Sequence, residues 1–373
     1  MNRRVLFILY TFLFLSGPIL AQDKDCEQVL NEADDEFKAG RFFEIPSLLN
    51  SCLERGFSNE QKVRAYLILT QAYLILDDPK AADESYLKLL KADPEYVANP
   101  ARDPIDVYYL SKKFTSTPVF TPHIRLGLNT TRPRGIQEIT TSGTPLDRRE
   151  ILKVGFQFGV GFDWNINNHW SLGAEGNFAL KSFKRETKGY ARNDVQGMQE
   201  KHTGFDIPLY VKYSDDSGKV RPFGYAGFAI GILTSSNVSL QFDDNTPSNA
   251  EVGIQQTPRV SEAIGYKRSS LNGSLVFGGG VKYKIGKDFV YADLRYMAGL
   301  SNFTKPDENY YTKDGTFDPS ITNYQFVSDF FRLDNLSLSL GYIHPIYNPR
   351  KKTKPKLGNL FKKKTETIKD KSQ

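Results

Sequence analysis

Histidine is the side chain best suited to acid–base catalysis near neutral pH, and the chain carries four of them: His123, His169, His202 and His344. They are dispersed along the sequence, and neither an HExxH motif nor paired metal-ligand spacing joins them. A hydrolase site at the rim of the fold would have to use His202, close to Asp206. We therefore predict a protein that is not an enzyme and uses no metal or cofactor; an enzyme built on His202 is the alternative.

Charged side chains have a more regular placement than the histidines. Between residues 151 and 164, Phe156 and Phe158 share one side of the segment, whereas Asp163 falls on the other side with glycine and glutamine. Such alternation is typical of a β-strand with two different faces. Eight charged residues are predicted on the face opposite the apolar one: Arg125, Asp163, Glu175, Asp206, Lys212, Lys282, Asp293 and Arg295.

These eight residues comprise four of each sign. Buried charges need partners of opposite sign, and a closed barrel of about eight strands is just wide enough for side chains to fill it. We therefore predict a lumen filled by salt bridges, which does not conduct, with inward glycines making room for the Lys and Arg side chains.

The alternating segments define a barrel over residues 118–347. The predicted strands span residues 119–130, 151–164, 170–182, 203–214, 220–235, 270–285, 289–303 and 331–345. Segments of about ten alternating residues, joined in turn by short and by long polar connections, are the signature of a transmembrane β-barrel. An even number of strands returns the C-terminus to the side of the N-terminus. Aromatic residues near the short connections are predicted to form a membrane-interface girdle: Trp164, Trp170, Tyr213, Tyr342 and Tyr347.

The first residues are predicted to form a signal peptide, residues 1–21, removed after Ala21. Arg3 and Arg4 precede an apolar run that ends near Gly17-Pro18. The run is short for a membrane-spanning helix, which needs about 20 apolar residues. An uncleaved membrane anchor is the alternative.

Residues 22–95 are predicted to form four helices. Two amphipathic helices are separated at Gly40, a capping box at Ser58 and Gln61 opens the third, and Pro94 follows the fourth. The last two helices resemble a tetratricopeptide repeat, in which these residues pack the helix pair: Ala72, Tyr73, Ala82, Tyr86 and Pro94. Such a region is expected to dock proteins; a small helical cap without a partner is the alternative.

Both cysteines of the chain, Cys26 and Cys52, lie in this helical region. An exported chain with an even cysteine count favours a disulfide. The bridge would join the first two helices. Free thiols remain the alternative.

Two segments flank the barrel. Residues 96–117 are a predicted linker with one short helix, and residues 348–373 are a predicted basic tail, with ten Lys or Arg residues and two acidic ones from Arg350 onward. The tail is expected to contact anionic lipid, peptidoglycan or an acidic partner, or to remain solvated. No nucleic-acid partner is expected in the periplasm.

Three segments carry a resemblance to a family. Residues 205–213 (FDIPLYVKY), 221–227 (RPFGYAG) and 293–300 (DLRYMAGL) resemble strands of the PorT-like outer-membrane β-barrel family of Bacteroidota. The resemblance covers roughly residues 118–347 and implies an eight-stranded barrel in the outer membrane. Some members of the family serve type IX secretion and gliding.

The fold class predicted from these observations is an α+β membrane protein, an eight-stranded antiparallel transmembrane β-barrel preceded by a small periplasmic helical domain. The predicted location is the outer membrane, with both termini in the periplasm. The function that the pattern favours is a non-enzymatic anchor or adaptor, held in membrane lipid, whose helical repeats dock periplasmic or envelope proteins of a secretion or gliding machine. A small-solute channel or a surface ligand-binding barrel is the alternative.

Overall fold

The computed structural model describes residues 23–139, 147–188, 194–244 and 255–352. The chain divides into a helical unit, residues 1–117 with 347–373, and a barrel unit, residues 118–346. The predicted signal peptide and most of the predicted tail, residues 353–373, lie outside the described residues.

The described part of the helical unit contains five helices. They are α1 (Asp23–Lys38), α2 (Ile45–Arg55), α3 (Asn59–Ile75), α4 (Pro79–Ala92) and α5 (Ile105–Ser111). Gly40 follows α1 with a φ of +78°, a left-handed conformation that glycine adopts without steric cost. The predicted capping box is present, since the Ser58 side chain accepts from the Gln61 amide and the Gln61 side chain accepts from the Ser58 amide. Among the described residues, no helix is both long and apolar enough to span a membrane.

Two apolar clusters hold these helices together. In the first, Leu30, Leu49 and Leu69 join α1, α2 and α3, and the disulfide Cys26–Cys52 links α1 to α2. In the second, α4 packs with α5 and with the residues around them: Ala82, Tyr86, Leu89, Leu90, Ala98, Val107, Leu110 and Phe114. The predicted linker, residues 96–117, is thus part of the helical unit, because its apolar side chains complete this second cluster.

The start of the predicted tail also belongs to the helical unit. Strand β1 (Phe114–Thr115) pairs antiparallel with β12 (Arg350–Lys351), the last of the described strands. The Lys351 ammonium lies 2.5 Å from an Asp83 carboxylate oxygen. Tyr347, predicted as a girdle residue, instead donates a hydrogen bond of 2.9 Å to Glu95 in this unit.

The barrel unit is one antiparallel sheet. Its strands are β2 (Phe120–Gln137), β3 (Asp147–Leu152), β4 (Val154–Asn165), β5 (Trp170–Lys188), β6 (Val195–Ser214), β7 (Val220–Asp244), β8 (Gln255–Ala263), β9 (Leu271–Ile285), β10 (Asp288–Gly299) and β11 (Phe330–Ile343). Pairings run in the order β5-β4-β2-β11-β10-β9-β7-β6, and β6 pairs with β5, so that the described strands form a closed ring. β3 pairs with the far end of β5, and β8 pairs with the far end of β7.

The two faces of the ring differ as the alternation predicts. Outward side chains such as Phe156, Phe158 and Leu340 are 44%, 44% and 66% exposed. The inward side chains Arg125, Glu175 and Arg295 are almost wholly buried, at 1%, 6% and 3%. Apolar residues thus cover the outside and charged residues fill the inside, the reverse of a water-soluble protein.

Several strands are longer than predicted at one end. β5, β6 and β7 extend to Lys188, back to Val195 and to Asp244, so part of the predicted long connections is strand. Beyond Leu180, the outward positions of β5 become Ser182 and Lys184. The alternation of apolar outward and polar inward residues disappears there, because the outward face becomes polar while the inward face carries the apolar Phe183. Two other strands are shorter than predicted, since the predicted strands 289–303 and 331–345 end at Gly299 and Ile343.

Candidate functional site

The centre of the lumen is the carboxylate of Glu175 on β5. Arg295 on β10 donates to it from both terminal nitrogens, at 2.7 and 2.8 Å, in a two-pronged pair. Arg125 on β2 donates a third hydrogen bond at 3.2 Å. His123 contributes a ring nitrogen 3.3 Å away. One carboxylate therefore connects three strands of the ring.

A second carboxylate, that of Asp293, extends the network. Arg125 donates to Asp293 at 3.2 Å, and the Tyr225 hydroxyl of β7 donates at 2.5 Å. Arg125 also donates to the Ser339 hydroxyl of β11 at 2.6 Å, and Gln157 of β4 reaches the same hydroxyl at 3.0 Å. Charge-assisted hydrogen bonds of this kind are the strong ones in a protein interior.

Tyr210 on β6 joins Asp163 and Lys212, two further predicted inward residues, to the centre. Its hydroxyl lies 2.7 Å from Glu175 and 3.3 Å from Asp163. Asp163 in turn accepts from the Lys212 ammonium at 2.8 Å. The connected network thus takes side chains from every ring strand except β9.

β9 faces the network with a glycine, Gly280. A side chain on Gly280 would come within 2.9 Å of the Asp293 Cβ, and one on Gly161 of β4 would lie 2.6 Å from the Glu175 Cγ and 2.7 Å from His123. The inward glycines therefore make room, as predicted, but chiefly for carboxylates and rings and less for Lys and Arg stems.

Two predicted residues lie on the lumen side but take other partners. Asp206 pairs with Lys181 at 2.7 Å, and Lys282 approaches Asp216 at 3.4 Å. Lys181 was not predicted. It lies four residues beyond the inward Asn177 on β5, so the two-residue alternation of the strand places it on the inward face. Tyr210 and Tyr225 were also missed, because an inward tyrosine gives no charge signal in the sequence.

At the end with the long connections, the segment 301–329 packs over the inward side of the sheet. Phe303 and Phe326 join an apolar cluster with Phe183 of β5 and Leu240 of β7. The segment carries a short helix, α6 (Pro319–Asn323). Its contacts close this end of the lumen with side chains.

Three sets of buried ion pairs hold that segment. Asp329 accepts from Arg148 at 2.7 Å and from Arg185 at 2.5 Å. Lys267 pairs with Asp318. The third set centres on the buried Arg268, which pairs with Glu200 at 2.5 Å and donates to Ser328 at 3.0 Å.

Asp318 is ionised in this arrangement. Burial alone would raise its pKa, but hydrogen bonds from the Lys267 ammonium and from Ser320 outweigh burial and hold the pKa below the ordinary aspartate value. Asp318 therefore stays ionised at neutral pH.

Between the Glu175 network and this segment lies a cavity of about 50 Å³, here named the upper cavity. It is lined by Lys181, Asp206, His202, Asn272 and Phe303, among others. Among the described residues, neither ring nitrogen of His202 has a hydrogen-bond partner, and the same is true of the Asn272 side-chain oxygen. A cavity of this size holds a few water molecules or one small ligand.

His202 is therefore not the rim residue that the sequence predicts. It is 3% exposed, and its ring packs against Phe183 and Phe303 at centroid distances of 5.8 and 4.9 Å. Within the described residues, no group of three or more His, Cys, Asp or Glu side chains is arranged to hold a metal ion.

Comparison with known proteins places this geometry in a class. A protein-family profile described as "Outer membrane protein beta-barrel domain" matches residues 123–305. The match covers most of the barrel unit and supports an outer-membrane β-barrel protein, which places the protein in the outer membrane. No curated protein matches the sequence.

Solved structures give distant likenesses. Neisserial surface protein A is 13% identical, with 61% of this chain and 97% of that chain covered and a TM-score of 0.28. OprG from Pseudomonas aeruginosa is 13% identical, with 64% and 99% covered and a TM-score of 0.32. Ail, the attachment invasion locus protein of Yersinia pestis, is 14% identical, with 62% and 99% covered and a TM-score of 0.24. At these scores the likenesses carry no argument about function.

Proposed function

We propose that the protein is a non-enzymatic outer-membrane anchor whose helical unit docks envelope proteins. The observation that carries the proposal is the connected network around Glu175. It spans the lumen, because it takes side chains from every ring strand except β9. A barrel built to pass solutes keeps an aqueous path, whereas this one places its largest buried charges on its axis. The barrel is therefore suited to hold a domain at the membrane.

The helical unit has the construction of a docking module. Its helices follow one another as antiparallel hairpins, and α3 packs against α1, α2, α4 and α5. Burial supports the proposal of a tetratricopeptide-like pair, since Ala72 and Ala82 are fully buried and Tyr86 is 2% exposed. We therefore propose that it is a tetratricopeptide-like unit that binds a peptide or helix of an envelope protein.

The finer assignment of the barrel is part of the same proposal. The three segments that resemble the PorT-like family of Bacteroidota fall within β6, β7 and the end of β10. We propose an eight-stranded, PorT-like barrel whose ring strands cross the membrane, with both termini in the periplasm. A secretion or gliding complex is the proposed setting, and peptidoglycan or anionic lipid is a further proposed contact of the Lys-rich tail.

Conductance measurements test the closed lumen. The purified chain, inserted into planar bilayers, should produce no stepwise current under conditions in which a known porin does. The double variant Glu175→Ser with Arg125→Ser keeps the charge balance but shortens two side chains of the network, and it should leak if it still forms a heat-modifiable barrel. Reproducible single-channel steps from the unaltered chain would remove the anchor proposal and favour a channel.

The upper cavity favours a second candidate, a barrel that binds a small ligand. His202 and Asn272 offer unsatisfied donors and acceptors, and the Lys181–Asp206 pair leaves the lining without net charge. The ligand class is a small uncharged molecule with both donor and acceptor groups. Titrating acetamide or glycerol while observing the ¹⁵N signals of His202 tests it. A saturable shift of these signals that Asn272→Ala abolishes would support binding, whereas shifts that rise linearly would indicate water alone.

A further inference from the structure

Helix α5 presents an apolar stripe that is more than half exposed, although the Lys112 ammonium lies 5.2 Å from the centre of the Tyr109 ring. Ile105 and Tyr109, one turn apart on this helix, are 53% and 60% exposed. Asp106 beside them is exposed and acidic. Exposed apolar residues grouped on one helix face with a charged neighbour are typical of a surface that binds another segment.

The chain returns to this surface at its other end. The Lys352 amide donates a 2.7 Å hydrogen bond to the carbonyl of Lys113, two residues beyond the end of α5. The ladder between β1 and β12 and the Lys351–Asp83 pair fix the approach of the chain to this point. Whatever follows Lys352 therefore starts beside α5.

The sequence that follows has complementary chemistry. Residues 353–373 contain seven Lys and two acidic residues, together with an apolar group at Leu357, Leu360 and Phe361. Residues 22–117 of the helical unit contain 18 acidic and 12 basic residues, so the charges of the two segments are opposite. A basic segment with an apolar centre matches an apolar stripe on an acidic unit.

The distances permit the contact. Leu357 is five residues beyond Lys352, a reach of up to about 17 Å in an extended chain, whereas the seven residues of α5 are only about 10 Å long. Tethering also raises the effective concentration of the segment at α5 to about the millimolar range. A weak contact between separate molecules therefore becomes a substantially occupied one within the chain.

We propose that residues 353–373 bind in cis to the α5 stripe, with Leu360 and Phe361 on Ile105 and Tyr109 and the flanking lysines facing the acidic surface of the helical unit. The contact does not depend on any partner.

Photo-crosslinking in the full chain tests the contact. Phe361→benzoylphenylalanine is introduced, and the purified protein is reconstituted in phosphatidylcholine vesicles and, in parallel, in vesicles containing phosphatidylglycerol. Illumination should join position 361 to the tryptic peptide 103–112 in both. The double variant Ile105→Ser with Tyr109→Ser should lower that yield at least fivefold. Phe43→Ser, which alters a residue that is 84% exposed elsewhere on the unit, should leave it unchanged.

Three results would overturn the proposal. They are a yield that the α5 variant does not change, adducts to lipid in the anionic vesicles in place of peptide 103–112, or adducts only between two copies of the chain. Far-UV circular dichroism of each variant shows that the helices are intact. Since no partner is present, failure here is distinct from failure of the docking proposal.

Discussion

Arg295 and Glu175 are separated by 120 positions in the sequence, yet Arg295 donates to both oxygens of Glu175 at 2.7 and 2.8 Å in the middle of the barrel. Each side chain is 3% exposed. Replacing one member of a buried pair leaves a buried charge without compensation, which costs about 3–5 kcal/mol.

Arg295→Met is therefore expected to lower the free energy of unfolding by about 3–5 kcal/mol. Urea unfolding in lipid vesicles, followed by tryptophan fluorescence, measures the change. Lys184→Met is the matched control, because its pair with Glu186 is about 29% exposed and pairs of that kind contribute about 0–1 kcal/mol. Equal losses of unfolding free energy for the two variants would show that the buried Arg295–Glu175 pair stabilises the barrel no more than the partly exposed Lys184–Glu186 pair does.

Gly161→Ala is expected to destabilise the barrel by about 1–3 kcal/mol, because the new Cβ would crowd Glu175 and His123. Gly176→Ala provides the comparison on the neighbouring strand, since its Cβ would meet nothing within 4 Å. The same unfolding assay applies to both. If Gly161→Ala is as stable as Gly176→Ala, the packing of the lumen is looser than described.

Removal of the disulfide is expected to destabilise the helical unit alone. A bridge that closes a loop of this length contributes about 3 kcal/mol, and Cys26 and Cys52 are separated by 26 positions. In Cys52→Ala, the helical circular-dichroism signal should be lost at lower temperature, whereas the heat-modifiable electrophoretic mobility of the barrel should not change. A shift in barrel mobility would argue against independent units.

The pair Lys267–Asp318 is expected to give the segment 301–329 a pH-dependent stability. The pKa of Asp318 is lowered in the folded state, so its contribution is complete above the ordinary aspartate pKa and is lost as pH falls through the folded value. Asp318→Asn should therefore be less stable than the unaltered chain at pH 7, and the two unfolding curves should converge in acid. A difference that persists at pH 2 would assign the effect to something other than this carboxylate.

The alternation of residues was sufficient to predict the strands and the inward charges within the apolar band, because lipid on one side and a packed lumen on the other leave each position one choice. The alternation failed to predict the strand ends that extend beyond the apolar outward residues. Ser182 and Lys184 follow Leu180 on the outward face of β5, where water accepts polar residues, while Phe183 lies on the inward face, so the strand continues without the apolar outward residues that signal it.

The partners of the charges were less predictable than their placement. Asp206 faces the lumen as expected but pairs with Lys181, because the register between β5 and β6 sets Lys181 opposite His202 and brings its long side chain toward Asp206. The register between two strands is set by the closed sheet as a whole and cannot be read from either strand alone. The contacts of residues 301–329 were not predictable either, because no periodicity marks that segment.

The central claim is that the barrel holds a docking unit at the outer membrane. The most direct test is a crosslinking pulldown from intact envelopes that compares the full chain with chains lacking residues 23–112 or residues 353–373. The account predicts a defined set of envelope proteins with the full chain, their loss without residues 23–112, and their retention without residues 353–373. An identical set of proteins from the full chain and from the chain without its helices would contradict it.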